Sequence, residues 1–181
     1  GQALRFAALL HDIGKADTRK LTDSGRVTFI GHDALGADMV RKLCVRLRTS
    51  ERLREFLARI TRHHLVLGFL VHQRPLSARA VYRYLKLCSP VEVEVTLLTC
   101  ADRIATRGKN AEAAIEAHLE LARDLMNAAL DWRAQAPPRA PLRGDELADE
   151  LGIEPGPDLG RLVAELEEAS YAGVGTTADP G

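Results

Sequence analysis

The sequence predicts an all-α protein, in which a helical bundle is followed by a short helical C-terminal tail. Apolar residues recur at helical spacing through most of the chain. The segment 110–133 is rich in Ala, Glu and Leu, which favour helices. The chain has 181 residues, of which 46% are hydrophobic and 28% charged. Such a chain can bury a sizeable core.

The first predicted helix begins near residue 2. Its apolar face is formed by Leu4, Ala7, Ala8 and His11. The periodicity ends at Gly14, a residue type that tolerates the left-handed turn on which helices often end. This boundary places His11 and Asp12 in the last helical turn. Because the chain starts with Gly1 and already follows a helical pattern, we expect it to be a fragment of a longer protein.

A turn and a short extended piece follow the first helix. The stretch "TDSGRVTFIGH" contains turn residues, and 27–30 could be extended. The next helix, 34–47, has an apolar stripe of Leu35, Met39, Leu43 and Leu47.

Three further helices have recognisable starts or ends. One runs from about 50 to 64 with Ser50 as its N-cap, and the next starts at Ser77. The third lies between Pro90 and Gly108. Its "VEVEV" alternation also fits a strand, but the neighbouring helices favour a helix.

Prolines divide the chain. Pro137, Pro138 and Pro141 cannot continue a helix interior. We therefore predict a main domain at 1–133, a Pro-rich linker at 134–144 and a helical tail at 145–181, with two helices joined by a Gly and Pro turn.

Composition indicates a cytoplasmic protein without a membrane span. The three cysteines, Cys44, Cys88 and Cys100, have no metal-type spacing and are expected in the core. Charge is uneven although the net charge is zero: residues 1–90 hold 17 Lys and Arg against 7 Asp and Glu, and residues 91–181 hold 8 against 18. The basic half suits phosphate-bearing ligands or RNA. Alternatively, the two halves fold together and their charges partly cancel.

Residues able to bind a metal lie near the ends of several predicted helices. They are the pair His11 and Asp12 in "LLHDIGK", His32 in "GHD", the pair His63 and His64, and Asp102 in "CADR". Histidine nitrogens and carboxylate oxygens are common ligands of divalent metals, and helix ends can converge on one ion. Each residue alone is a weak signal.

In this order, the motifs resemble the HD-domain phosphohydrolase superfamily. The resemblance implies that His11 and Asp12 bind a divalent metal ion, that Asp102 completes the site, and that His32 and one of His63 and His64 are further ligands. We favour His64, because "HHLVLGFL" resembles the family stretch in which the ligand histidine is followed directly by leucine, although His63 remains an alternative. The superfamily normally adds one more histidine from an upstream helix, and the ten residues before His11 lack it. The ion could be magnesium, manganese, iron, nickel, cobalt or zinc.

The catalytic residues predicted with this site are Asp12, Lys15 and Asp33. Lys15 could offset charge on a phosphate in the transition state, or could simply be a solvated lysine near a helix end. Asp33 could orient His32 or act as a base, although a helix N-cap is the more ordinary role.

A closer resemblance covers nearly the whole chain. "FIGHDALGADMVRKLCVRLRTS", "ADRIATRG" and "PLRGDELADELGIEPGPDLGRLVAELEEA" are similar to the C-terminal part of bacterial tRNA nucleotidyltransferases and poly(A) polymerases. In that family a separate N-terminal head transfers the nucleotide. Nothing in the chain resembles that head, so we expect no nucleotidyl transfer from this chain alone.

Two hypotheses follow. In the first, the chain is a metal-dependent phosphohydrolase acting on 2',3'-cyclic phosphates, 2'-nucleotides or small phosphomonoesters, so that its partner is a phosphate-containing nucleotide. In the second, it is a non-catalytic tRNA-binding body with a vestigial metal site, whose basic face comprises Arg41, Lys42, Arg46, Arg48, Arg52, Arg59 and Arg62. A signalling-nucleotide hydrolase is disfavoured by the tail. The oligomeric state is not predicted.

Overall fold

A computed structural model describes residues 1–108, 111–135 and 139–174, and most of these residues are helical. The helices are α1 (Gln2–Leu10), α2 (Lys15–Thr18), α3 (His32–Arg46), α4 (Glu51–His63), α5 (Val66–Leu70), a 3-10 turn (Val71–Gln73), α6 (Ala78–Cys88), α7 (Glu92–Ala105), α8 (Ala111–Ala134), α9 (Gly144–Leu151) and α10 (Pro157–Val174). The short strands β1 (Lys20–Leu21) and β2 (Val27–Thr28) pair antiparallel. The predicted all-α class is confirmed.

Two helix starts follow directly from local chemistry. Ser50 and Ser77 are the N-caps of α4 and α6, and their hydroxyl oxygens accept hydrogen bonds from the backbone N–H groups of Leu53 and Ala80. These bonds satisfy N–H groups that have no partner within the helix. Residues 92–95 of the "VEVEV" stretch lie in α7 and are helical, as the neighbouring helices suggested, and Val91 is the N-cap.

The core of the bundle lies between α3, α4, α6, α7 and α8. Its largest fully buried apolar side chains include Tyr84, Leu57, Ile60, Leu67, Leu85 and Leu125. Helices α3 and α4 pack along each other, α1 packs on α4, and α7 packs on α8. Cys44 and Cys88 are buried in this core and Cys100 is partly buried; all three are free thiols. This packing brings the ends of α1, α4 and α7 and the start of α3 together.

The C-terminal helix α10 packs on the helical bundle. Helix α10 lies against α6, where Tyr171 contacts the rings of Tyr82 and Trp132. Helices α9 and α10 also share a small apolar cluster of Leu147, Ala148 and Leu159. The predicted linker and tail boundaries stay predictions. Residues 136–138 of that linker and residues 175–181 lie outside the described residues.

Ion pairs connect the basic and acidic halves of the chain. Lys86 pairs with Glu167, Arg83 with Glu168 and Arg74 with Glu120. The alternative in which the two halves fold together and their charges partly cancel therefore accounts for part of the asymmetry.

Candidate metal centre

The pair His11 and Asp12 lies immediately after α1. The helix ends at Leu10, and the backbone N–H of His11 still donates to the carbonyl of Ala7. The predicted boundary at Gly14 is therefore wrong by a few residues. Because the chain turns at this point, Asp12 faces His32 at the start of α3, whereas His11 faces Asp102 of α7 and the ring of His64.

Gly14 serves close packing rather than a left-handed turn. Its φ angle is −71°, which any residue can adopt. A Cβ at this position would collide with the carbonyl oxygen of His32 and would lie 2.8 Å from the backbone nitrogen of Gly36. The turn after Asp12 can therefore press against the first turns of α3 only without a side chain at residue 14.

The three histidines at positions 11, 32 and 64 share one local geometry. Each Nδ1 lies within hydrogen-bond distance of the carbonyl three residues earlier: Ala8 at 2.8 Å, Phe29 at 2.7 Å and Thr61 at 2.7 Å. A carbonyl can only accept, so Nδ1 carries the hydrogen and the Nε2 of a neutral ring keeps its lone pair. Metal-binding histidines are commonly held in this way.

Asp12, His32 and His64 converge on one point. Their ligand atoms all lie within 4.8 Å of one another. The Nε2 atoms of His32 and His64 are 3.2 Å apart, and Asp12 Oδ1 lies 3.4 Å and 3.7 Å from them. Both histidines are buried. Facing lone pairs beside a carboxylate repel unless a proton or a cation lies between them, so this donor set fits a divalent metal ion.

His11 and Asp102 extend this group. His11 Nε2 lies 3.3 Å from Asp12 Oδ2 and 3.6 Å from Asp102 Oδ1, and its ring is 5.1 Å from that of His64. Asp102 contacts the group through His11. Hydrogen bonds to Asp102 and Asp12 raise the pKa of His11 to about 10, and the bond from His11 lowers the pKa of Asp102. The structure thus brings the five predicted metal ligands into one network.

Lys15 lies at the edge of this network. Its Nζ is 2.6 Å from Asp12 Oδ2 and 5.7 Å from the centre of the Phe29 ring. Burial works to raise the pKa of Asp12, but the hydrogen bonds from His11 and Lys15 outweigh it and hold that pKa below its usual range. Asp12 is therefore a carboxylate at neutral pH.

Two residues of the prediction lie outside the group. Asp33 pairs with Arg62 and is the second residue of α3, whose N-cap is Gly31; the expectation that Asp33 is the N-cap is wrong. His64 rather than His63 contacts Asp12 and His32. Burial, with the nearby charges of Arg62 and Arg59, lowers the pKa of His63.

Sequence reasoning missed the groups that orient the site. The carbonyls of Ala8, Phe29 and Thr61 and the ring of Phe29 were not singled out. The carbonyls of Ala8 and Thr61 could have been found, because His11 and His64 directly follow a helix, where the last carbonyls have no partner within the helix. The ring of Phe29 left no signal in the sequence.

A family model described as "HD domain" matches residues 2–107. This match spans more than half of the chain, so the chain belongs to the HD-domain family, and the resemblance seen in the sequence is confirmed.

The chain is also similar to curated tRNA-processing proteins. It is 32% identical over 176 residues to the CC-adding tRNA nucleotidyltransferase of Thermus thermophilus, covering 95% of this chain and 37% of that protein. It is 33% identical over 175 residues to the A-adding tRNA nucleotidyltransferase of Deinococcus radiodurans, covering 96% of this chain and 39% of that protein. The multifunctional CCA protein of Cupriavidus necator is 33% identical over 138 residues, or 74% of this chain and 32% of that protein. The chain spans less than two fifths of the length of these relatives.

In the described part of the chain, none of the helices combines the length and the apolar character needed to cross a membrane.

Proposed function

We propose that the chain is a metal-dependent phosphohydrolase that cleaves phosphomonoesters or 2',3'-cyclic phosphodiesters of nucleotides, within a cytoplasmic tRNA nucleotidyltransferase-like protein. The observation that supports this most is the convergence of Asp12, His32 and His64, with two histidine Nε2 atoms and one carboxylate oxygen directed at a common point. We do not propose that this chain alone carries out the nucleotidyl transfer for which its relatives are named.

The residues proposed to hold the metal are His11, Asp12, His32, His64 and Asp102. A divalent ion would lower the pKa of a bound water molecule, so that hydroxide would be available to attack at neutral pH. It would also polarise a phosphoryl oxygen. Nitrogen and oxygen ligands together admit magnesium, manganese, iron, nickel, cobalt or zinc.

Other residues are proposed to act on the substrate and on the ligands. Lys15 places its ammonium group beside the Asp12 carboxylate, where it can also neutralise charge that develops on a phosphate. Asp33 follows His32 and is held by Arg62. We assign it a positioning role, because this ion pair fixes the first turn of α3 from which His32 projects.

His63 and His64 are adjacent in the sequence, so variants of these two residues provide a matched test of the metal site. Metal content and hydrolysis of a 2',3'-cyclic nucleotide would be measured for wild type, His11→Ala, Asp12→Ala, His64→Gln and His63→Gln. We expect His11→Ala, Asp12→Ala and His64→Gln to lose the metal and to lose at least about 100-fold in activity. His63→Gln should keep both the metal and the activity. Full hydrolysis by Asp12→Ala, or equal loss in the two histidine variants, would contradict the proposal.

A second candidate function is tRNA binding without catalysis. Lys42, Arg46, Arg48 and Arg52 are exposed on α3, the following turn and the start of α4. Within the described residues, no side chain forms an ion pair with any of them. Free cations of this kind can bind the phosphate backbone of RNA. Metal-free, inactive protein that binds tRNA would favour this candidate over the hydrolase.

A further inference from the structure

His118 is a buried imidazole that lies outside the candidate metal centre. It lies in α8 and is only 3% exposed. Neither of its ring nitrogens has a hydrogen-bond partner among the described residues. Buried polar groups are nearly always hydrogen-bonded, because an unpaired one loses its hydration without compensation. A ligand that accepts a hydrogen bond from this ring would remove that penalty.

The guanidinium of Arg103 is a second group without a hydrogen-bond or ion-pair partner among the described residues. It lies in the last turn of α7, directly after Asp102, and is partly buried. No ion pair or hydrogen bond from its guanidinium is found in the described ranges. A Cβ added at Gly68 would lie 3.9 Å from Arg103 Nη2, so the guanidinium is directed from α7 toward α5. A partly buried guanidinium without a counter-charge is rare and suits an anion.

These two groups belong to one region. Helix α8 packs on both α7 and α5. Burial lowers the pKa of His118, the charge of Arg103 lowers it further, and the charge of Asp102 raises it. Both neighbours therefore lie within electrostatic reach of the ring. Arg74, from the segment after α5, donates to the carbonyl of Ala117 and fixes α8 next to His118.

We propose that Arg103 and His118 form an anion-binding subsite next to the metal centre and that this subsite takes a phosphoryl group. The guanidinium can bind two phosphate oxygens at once, and the imidazole N–H can donate to a third. Asp102 links the subsite to the centre, because it precedes Arg103 and lies 3.6 Å from His11. That the anion is a phosphate of the substrate rests on the proposed function; binding of the anion itself does not.

Inorganic phosphate is the probe for the test. It would be titrated into the full chain, freed of metal with a chelator and dialysed, while the imidazole nitrogen resonances of His118 are followed by NMR. In wild type we expect a saturable shift of these resonances. Arg103→Gln should weaken phosphate binding at least about tenfold, and Arg103→Lys should restore part of it, because lysine keeps the charge without the planar fork.

Arg107→Gln is the matched control. Its guanidinium already donates to the carbonyls of Ile104 and Thr106, so its loss should leave phosphate binding unchanged. His118→Gln, checked for folding by circular dichroism, is a second variant that should weaken binding. Absence of saturable binding in wild type, or equal affinity in wild type and Arg103→Gln, overturns the subsite.

The outcomes separate the two proposals. Phosphate binding that depends on Arg103 in a protein without hydrolytic activity contradicts the hydrolase and supports the subsite. Hydrolysis that depends on Asp12, with phosphate affinity unaffected by Arg103→Gln, supports the hydrolase and contradicts the subsite.

Discussion

Each site histidine donates from Nδ1 to the carbonyl three residues before it, and this one bond decides which nitrogen faces the centre. His63 shows the contrast, since it neighbours His64 in sequence yet makes no contact with Asp12 or His32 in the described structure. Residue type alone therefore does not decide which histidine faces the centre. The position of the residue relative to the helix end does.

His11 gives a prediction about pH. Asp102 and Asp12 raise its pKa from 6.5 to about 10 in the metal-free protein. A raised pKa means that protonated His11 stabilises the fold; this contribution is complete below pH 6.5 and is lost as the pH rises toward 10. Urea unfolding of chelator-treated wild type and His11→Gln should therefore show a stability difference that shrinks across this window. A difference independent of pH would contradict the pairing of His11 with the two aspartates.

Gly14 gives a prediction about packing. Gly14→Ala should lower the free energy of unfolding by about 2–3 kcal/mol, because the added Cβ meets the backbone of His32 and Gly36. Metal affinity should fall with it, since α3 carries His32. The control is Gly160→Ala in α10, where an added Cβ would have no non-local neighbour within 4 Å among the described residues and a gain of about 0.5–1 kcal/mol is expected. Equal stability of Gly14→Ala and wild type, measured by urea denaturation, would refute the close approach.

At the scale of the elements, local chemistry made most boundaries predictable. The caps of α4 and α6 are serines whose hydroxyls bond the backbone as expected. The end of α1 was misplaced because the helical spacing of Leu4, Ala7 and Ala8 continues to His11, which already lies beyond the last residue of the helix, Leu10. Contacts between distant elements, such as Arg62 with Asp33, depend on how helices pack and leave no periodic trace in the sequence.

The docking of α10 on α6 can be tested with the single tryptophan. Trp132 lies 6.0 Å from Tyr171 and 5.8 Å from Tyr82, measured between ring centres. Tyr171→Ala should destabilise the protein by about 1–2 kcal/mol, because it removes two aromatic contacts, and should shift the emission of Trp132. Tyr171→Phe keeps the ring and should behave like wild type. Unchanged fluorescence and stability in Tyr171→Ala would show that α10 does not dock there.

At the scale of the whole molecule, the charge asymmetry has two parts. Arg83 and Lys86 meet glutamates of α10 from the acidic half, so their charges are compensated within the fold. The C-terminal end of α3 and the start of α4 retain cations without ion-pair partners among the described residues, including Arg46 and Arg52. Counting charged residues in the sequence revealed the asymmetry. Only the packing of the helices shows which of these charges remain without an ion-pair partner among the described residues.

For the second candidate function, this difference between paired and unpaired arginines predicts how binding of tRNA would respond to salt. The double variant Arg46→Gln with Arg52→Gln removes two unpaired charges, so the slope of log K against log salt should become shallower by about 2. The double variant Arg143→Gln with Arg161→Gln is the matched control, because each of these arginines already pairs with an aspartate. Filter binding of tRNA at several salt concentrations measures the slopes. If both variants change the slope equally, binding follows net charge alone and the end of α3 with the start of α4 is not an RNA-contacting surface.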